Sequence, residues 1–277
     1  MRMTSAFTFV ARALFVPDRA FLARESSRVS KLALTAILFL TYVAGERLAT
    51  GFYQSSFAKT LSVLEVDARL SGLMSNAPPD VQDRVRQQAL DSILGERSAL
   101  LTALSIAISG FGFLLVLCEM WLICSVVSQF FGGQEERSIS ASLSEGRIPK
   151  DRPALSLFLI AFFPLALRKL AEGAVLAFRN PEAYANALTL AEYKAASAVR
   201  FDLFTLFHPN GVPEIFAAAA RILSDPFHLW WLAVIVLGGA RVYRIPWRSA
   251  LALGLILVAI LSLQNVLLGR IGIAWEV

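Results

Sequence analysis

Residues 99–127 read ALLTALSIAISGFGFLLVLCEMWLICSVV, a run in which Glu119 is the only charged residue. A helix needs about 20 apolar residues to cross the hydrocarbon core of a bilayer, so this run is long enough to cross it and to tilt or project. Four more apolar runs predict spans at about 32–53, 153–178, 226–243 and 249–269. The sequence therefore predicts an all-α, polytopic membrane protein built as a bundle of five transmembrane helices.

The composition also favours a membrane protein over a soluble domain. Hydrophobic residues make up 56% of the 277 residues and charged residues 17%, whereas soluble domains carry about a quarter charged residues. The net charge is +5, but the basic residues flank the apolar runs, where they meet lipid headgroups and set the topology. Membrane lipids are therefore predicted partners, and nucleic acid is not.

Two polar regions are predicted to be helical outside the membrane. Residues 1–31 form a cytoplasmic N-terminal region, in which the stretch 6–16 is apolar on one helical face and predicts an amphipathic helix on the membrane surface. Residues 54–98 carry apolar side chains at helical spacing in two stretches, 57–70 and 81–94. This pattern predicts a helical hairpin on the extracytoplasmic side.

The distribution of Lys and Arg sets the predicted orientation. With the N-terminus in the cytoplasm, the inner segments 1–31, 132–152 and 241–248 hold these residues at roughly twice the density of the outer segments, as the positive-inside rule requires. The C-terminus is then extracytoplasmic. The preference for Arg over Lys favours a bacterial inner membrane, and the five spans with their loops form one membrane domain over residues 32–269.

The candidate functional residues are charges within apolar runs. Glu119 would cost about 2.5–3.5 kcal/mol at mid-membrane on insertion scales, and it shares a helix face with small and polar residues. It is therefore expected to point at other helices, with Arg168 and Lys169 as candidate partners. This charge set is either a substrate or proton site, or a structural ion pair, or else Glu119 is a snorkelling carboxylate near the inner end of a long span; the structural interpretations are favoured.

No arrangement of residues predicts catalysis, a cofactor or a metal. His208 and His228 are isolated from any nucleophile or paired carboxylate at a known motif spacing. Cys118 and Cys124 lie on one helix about 9 Å apart along its axis, too far for a disulfide between them. The sequence therefore predicts a protein that is not an enzyme, with no catalytic, cofactor-binding or metal-binding residues.

The C-terminal part of the chain carries a family resemblance. Residues 225–263, DPFHLWWLAVIVLGGARVYRIPWRSALALGLILVAILSL, resemble the end of the bacterial branch of the Yip family (Ypt-interacting proteins). The resemblance lies in the Asp-x-Phe-x-x-Trp opening, a Gly pair, a short basic turn and a small-residue start to the last span. The FFGG at 130–133 and the FVPDRAF at 15–21 also fit, so the similarity extends over roughly residues 12–269.

This resemblance implies a five-helix bundle with a cytoplasmic N-terminus and no catalytic residues. It implies a non-enzymatic scaffold or accessory protein that acts through helix packing. Its expected partners are lipids and another membrane protein, such as an ABC exporter subunit or a second copy of the chain. The alternative function is a small transporter or channel that uses Glu119 with Arg168 and Lys169.

Overall fold

A computed structural model describes residues 11–12, 14–16, 31–49, 51, 55–96, 98–131, 153–179, 182–207, 211–242 and 245–270. The regular elements of these ranges are all helices: α1 (Lys31–Leu48), α2 (Ser56–Leu70), α3 (Pro79–Glu96), α4 (Ser98–Phe131), α5 (Pro153–Phe178), α6 (Glu182–Ala185), α7 (Leu190–Ser197), α8 (Phe204–Phe207), α9 (Glu214–Ser224), α10 (Pro226–Val242) and α11 (Trp247–Arg270). The predicted all-α class is confirmed.

Each predicted span coincides with a helix, and α5 has the bounds that the sequence predicts. The helix of the first predicted span, α1, is shorter than expected. It ends at Leu48, whereas the sequence favoured continuation to about Tyr53. The chain turns at Gly51, whose φ of 98° lies in the left-handed region that glycine adopts without strain. Ala49 and Gly51 therefore lie outside the helix, and the rest of the predicted extension, Thr50, Phe52 and Tyr53, lies outside the described residues.

Two described helices are long and apolar enough to cross a membrane, Ser98–Glu119 within α4 and Trp247–Leu267 within α11. A third candidate results if α9 and α10, which meet at an angle of 80°, count as one broken span. Helices α1 and α5 are also apolar over most of their length, but each carries three charged residues. The described chain is thus compatible with a membrane protein, and the count of five spans stays a prediction.

The chain divides into two compact units, and the first to be described comprises residues 39–113 and 167–200. Here the two helices that the sequence predicted between 54 and 98 are present as α2 and α3, and they pack on each other as a hairpin. The hairpin has its own small core of Val63, Val66, Leu90 and Ile93. Helix α7 packs against α2 as well.

A buried lysine on α2 joins the hairpin to the segment that follows α5. Lys59 is 2% exposed, and its ammonium donates a hydrogen bond to the carbonyl oxygen of Ala185 at 2.8 Å. Burial lowers the pKa of Lys59 below its ordinary value of 10.5, while the nearby Asp91 carboxylate acts in the opposite direction. Tyr193 on α7 is also buried, which raises the pKa of its hydroxyl.

These two shifts predict a pH dependence of stability. Because the folded pKa of Lys59 is depressed, the unfolded chain binds more protons just below pH 10.5, so stability rises with pH as the folded lysine loses its proton. The raised pKa of Tyr193 acts in the opposite sense, but only above about pH 10, where an unfolded tyrosine ionises. Relative to Lys59→Met, the wild type should therefore gain thermal stability as the pH is raised toward about 10.

The measurement is the melting temperature of each detergent-solubilised protein across this range. Lys194→Met, which removes a partly exposed lysine on α7, is the matched control and should leave the slope unchanged. If the melting temperatures of the wild type and of Lys59→Met change with pH in the same way over the whole range, the prediction is contradicted.

The second unit comprises residues 1–38, 114–166 and 201–277. Helices α9, α10 and α11 pack on one another here. Gly254 of α11 faces Leu232 and Val236 of α10, and a Cβ at this glycine would lie 2.6 Å from Cδ1 of Leu232. Small residues let helices approach in this way where lipid supplies no hydrophobic driving force between them.

Part of the predicted N-terminal helix, 6–16, lies outside the described residues, but Ala11, Arg12, Leu14 and Phe15 are helical. The Trp230 indole N–H donates to the carbonyl oxygen of Leu14 at 2.9 Å. The rings of Phe15 and Trp230 lie 5.3 Å apart. The N-terminal segment therefore contacts α10 about one turn after that helix begins.

This contact conflicts with the predicted topology. That topology places residues 1–31 and the loop 179–225 on opposite sides of a hydrocarbon core about 30 Å thick. A hydrogen bond between Leu14 and Trp230 requires the N-terminal segment and the start of α10 to lie on the same side. The predicted orientation and the three crossings between these segments stay predictions, because the positive-inside count sums charges over whole segments and carries no information on which ends meet.

Candidate functional site

Two glycines bring α1 and α5 into backbone contact within the unit formed by residues 39–113 and 167–200. A Cβ on Gly173 would lie 1.9 Å from the carbonyl oxygen of Gly45, and a Cβ on Gly45 would lie 2.5 Å from the carbonyl oxygen of Lys169. Real side chains do not approach so closely. Only glycine fits at either position. The close crossing of α1 and α5 therefore determines where along the two helices their neighbouring polar residues meet.

A charged cluster lies beside this crossing. The Lys169 ammonium is 3.0 Å from Oε1 of Glu46 on α1 and 3.2 Å from Oε2 of Glu172 on its own helix. The three side chains are 13%, 8% and 9% exposed, respectively. In a low-dielectric site such an arrangement is stable only if the opposite charges are close and hydrogen-bonded. We call Glu46, Lys169 and Glu172 the Lys169 cluster.

Neighbouring residues complete the polar contacts of Glu46. The hydroxyl of Ser56, in the first turn of α2, donates to both carboxylate oxygens at 3.1 and 3.2 Å. The preceding residue, Ser55, is fully buried and its hydroxyl lies 3.1 Å from that of Ser105 on α4. The start of the hairpin is thereby tied both to the cluster and to α4, so the cluster organises three elements.

The three predicted site residues fall in both units, with Glu119 in one and Arg168 and Lys169 in the other. Lys169 forms ion pairs with Glu46 and with Glu172. The carboxylate of Glu119 lies in the other unit, where it accepts a hydrogen bond from the side-chain amide of Gln264 on α11 at 3.2 Å. Arg168 precedes Lys169 on α5 and is half-buried.

Glu46 and Glu172 are the members of the Lys169 cluster that the sequence analysis did not name as candidates. A signal was present: Glu46 follows Gly45, and Glu172 precedes Gly173. A glycine beside a carboxylate in each of two apolar helices is the pattern that a close crossing with a shared cation requires.

The chemistry of the Lys169 cluster is that of a structural tie. The Lys169 ammonium lies between the carboxylates of Glu46 and Glu172, so both carboxylates already have a cation beside them. The cluster joins α1 to α5, and removing Lys169 would leave two buried carboxylates without the ammonium between them. Within the described ranges, no three His, Cys, Asp or Glu residues are grouped as a metal site would require.

Comparisons with protein-family models, with curated proteins and with solved structures found no match. The resemblance to the Yip family therefore rests on the residues quoted for it.

Proposed function

We propose that the chain is a non-enzymatic integral membrane scaffold or accessory protein of the Yip type, which acts through helix packing and contacts with lipid and another membrane protein. One observation carries the proposal: the Lys169 cluster uses its charges within the protein, where they fasten α1 to α5. Glu119 likewise has a hydrogen-bond donor within its unit. A charge that is matched inside the fold contributes to its architecture.

The outward faces of the apolar helices support the same proposal. Large apolar side chains of α4 and α11 are exposed: Leu104, Phe111, Leu114, Leu115, Leu122, Leu255, Ile256, Leu263 and Leu267. In water such a surface would drive aggregation, whereas in a bilayer it faces lipid or the helix of a partner. We propose that the partner is an ABC exporter subunit or a second copy of this chain, and that the protein resides in a bacterial inner membrane.

A pair of neighbouring phenylalanines on α4 allows a sharp test. Phe111 is 62% exposed, whereas Phe113 is 1% exposed. A photo-crosslinking amino acid at Phe111 should trap one membrane protein of reproducible mass in native membranes. The same group at Phe113 is the matched control and should give no adduct of that mass. The adduct from Phe111 should disappear when the purified protein is reconstituted in pure lipid, unless the partner is a second copy.

The contrary outcome is equally specific. Purified protein in liposomes should pass no ions or small solutes above the level of empty vesicles. Reproducible flux that is abolished by Glu46→Gln, together with lipid adducts alone from Phe111, would overturn the scaffold proposal and support the small transporter or channel instead.

A further inference from the structure

We propose that helix α9 and the N-terminal segment 11–16 form one membrane-surface patch, made of Phe15, Ile215, Phe216 and Leu223, that lies in the headgroup region of a phospholipid leaflet. The occupant of this surface is the lipid. The proposal rests on the proposed function only in that the protein is inserted in a membrane. It assigns to these residues direct contact with lipid headgroups, which is a role beyond helix packing.

The first support is the distribution of side chains around α9. Ala218 and Ile222 are buried, and α9 packs against α10 and α11. Ile215, Phe216 and Leu223 are 39%, 65% and 38% exposed. The helix therefore has more apolar surface than its own unit covers. A helix with one face packed and a second apolar face exposed fits an interface between protein and lipid.

The second support is the bend between α9 and α10. The two helices meet at 80°. Asp225 lies at the bend, is 2% exposed, and its Oδ1 accepts a hydrogen bond from the backbone N–H of Phe227 at 2.8 Å. This contact caps α10 in the manner typical of a helix N-terminus. If α10 runs across the bilayer, α9 must lie close to the plane of the membrane.

The third support is the contact of the N-terminal segment with Trp230, in the first turns of α10. Phe15 is 73% exposed although its ring lies 5.3 Å from that of Trp230. The Trp230 indole N–H is already used, since it donates to Leu14. Tryptophan and phenylalanine are the residues expected at a membrane–water boundary. The N-terminal segment thus presents an exposed aromatic ring beside the first turn of α10.

The choice of lipid as the occupant follows from continuity and charge. Leu229 on α10 is 46% exposed, and Leu237 two turns later is 44% exposed. Exposed apolar side chains therefore continue along α10 from its first turn, where a bilayer that surrounds this helix would cover them. Arg12 is exposed on the N-terminal segment, where it can meet the phosphate of a headgroup.

The experiment measures the depth of a fluorescent label in the full-length protein. Cys118 and Cys124 are replaced by alanine, single cysteines are placed at Phe15, Phe216 or Glu214, and each is labelled with an environment-sensitive dye. The protein is reconstituted in vesicles of phosphatidylcholine and phosphatidylglycerol that carry a quencher at the level of the upper acyl chain. Phe216→Cys should be quenched several-fold more strongly than Glu214→Cys, the exposed control on the polar face of the same helix.

A quencher confined to the outer leaflet then tests whether the N-terminal segment and α9 lie in the same leaflet. The labels at Phe15 and Phe216 should respond to the same leaflet, and Arg12→Cys serves as a second position if Phe15→Cys does not fold. Equal, weak quenching at 216 and 214, or responses of 15 and 216 to opposite leaflets, would overturn the proposal. So would a label at 216 that is shielded in native membranes but exposed to water in pure lipid, because a protein would then cover the patch.

A label at Leu255 separates this failure from failure of the proposed function. Leu255 lies on α11 and is 48% exposed. If the label there is quenched while that at Phe216 is not, the protein is inserted and only the patch is refuted. If neither is quenched, insertion itself fails, and the proposed function fails with it.

Discussion

Replacing Lys169 by methionine should lower the stability of the folded protein by about 3–5 kcal/mol, the range found when one partner of a buried ion pair is removed. The two carboxylates that the ammonium separates, Glu46 and Glu172, would remain buried at 8% and 9% exposure with no cation between them. Each would have to take up a proton or draw in water. The melting temperature of the detergent-solubilised protein, at one fixed heating rate, measures the loss.

Two controls make this result specific to the Lys169 cluster. Arg69→Met breaks an i,i+4 ion pair with Glu65 in which the arginine is 60% exposed, and an exposed pair is worth about 0–1 kcal/mol. The triple variant Glu46→Gln, Lys169→Met, Glu172→Gln removes all three charges and should recover part of the stability. If Lys169→Met costs no more than Arg69→Met, the cluster is not a structural tie.

Gly173→Ala should also strongly lower the stability of the folded protein, although it adds a single methyl group. The new Cβ would lie 1.9 Å from the carbonyl oxygen of Gly45, and neither backbone can rotate away as a side chain could. Overpacked substitutions cost about 1–3 kcal/mol and occasionally more. We expect the upper end of this range or beyond, because α1 and α5 must separate and the distance from Glu46 to Lys169 must lengthen with them. Folded yield and melting temperature in detergent measure the effect.

The matched control is Gly72→Ala in the loop between α2 and α3, where nothing lies within 4 Å of the added carbon. This variant should fold with a yield close to that of the wild type. Gly45→Ala, whose Cβ would lie 2.5 Å from the carbonyl oxygen of Lys169, should resemble Gly173→Ala. A Gly173→Ala protein as stable as Gly72→Ala would show that the two helices do not cross closely.

The helices could be predicted from the sequence because apolar runs and their charged flanks are local signals. Helix α5 begins at Pro153 and ends at Phe178, as the sequence predicts, whereas α1 ends earlier and α4 ends later than expected. A turn that depends on one glycine with φ of 98° leaves little trace in hydropathy. The apolar runs also predicted helices long enough to cross a membrane, and Trp247–Leu267 and Ser98–Glu119 meet that requirement.

The partners of the charged residues could not be predicted in the same way. The distance between Glu46 and Lys169 depends on how two helices are rotated and at what depth they cross, and hydropathy specifies neither. Glu119 was assigned to basic partners because opposite charges attract, and the structure gives it a donor that this reasoning did not consider, the neutral amide of Gln264. Within an apolar helix bundle a carboxylate accepts whichever donor the packing presents.

The hydrogen bond from Trp230 to Leu14 also constrains the order of assembly during synthesis. Its two residues are 216 positions apart in the chain. At roughly 5–20 residues per second, a ribosome needs about 10–45 s to make the intervening segment. The N-terminal segment thus emerges long before its docking site exists. It must wait in a provisional position, bound to lipid or a chaperone, until α10 is inserted. This contact is therefore a late step of folding, which follows the synthesis of α10.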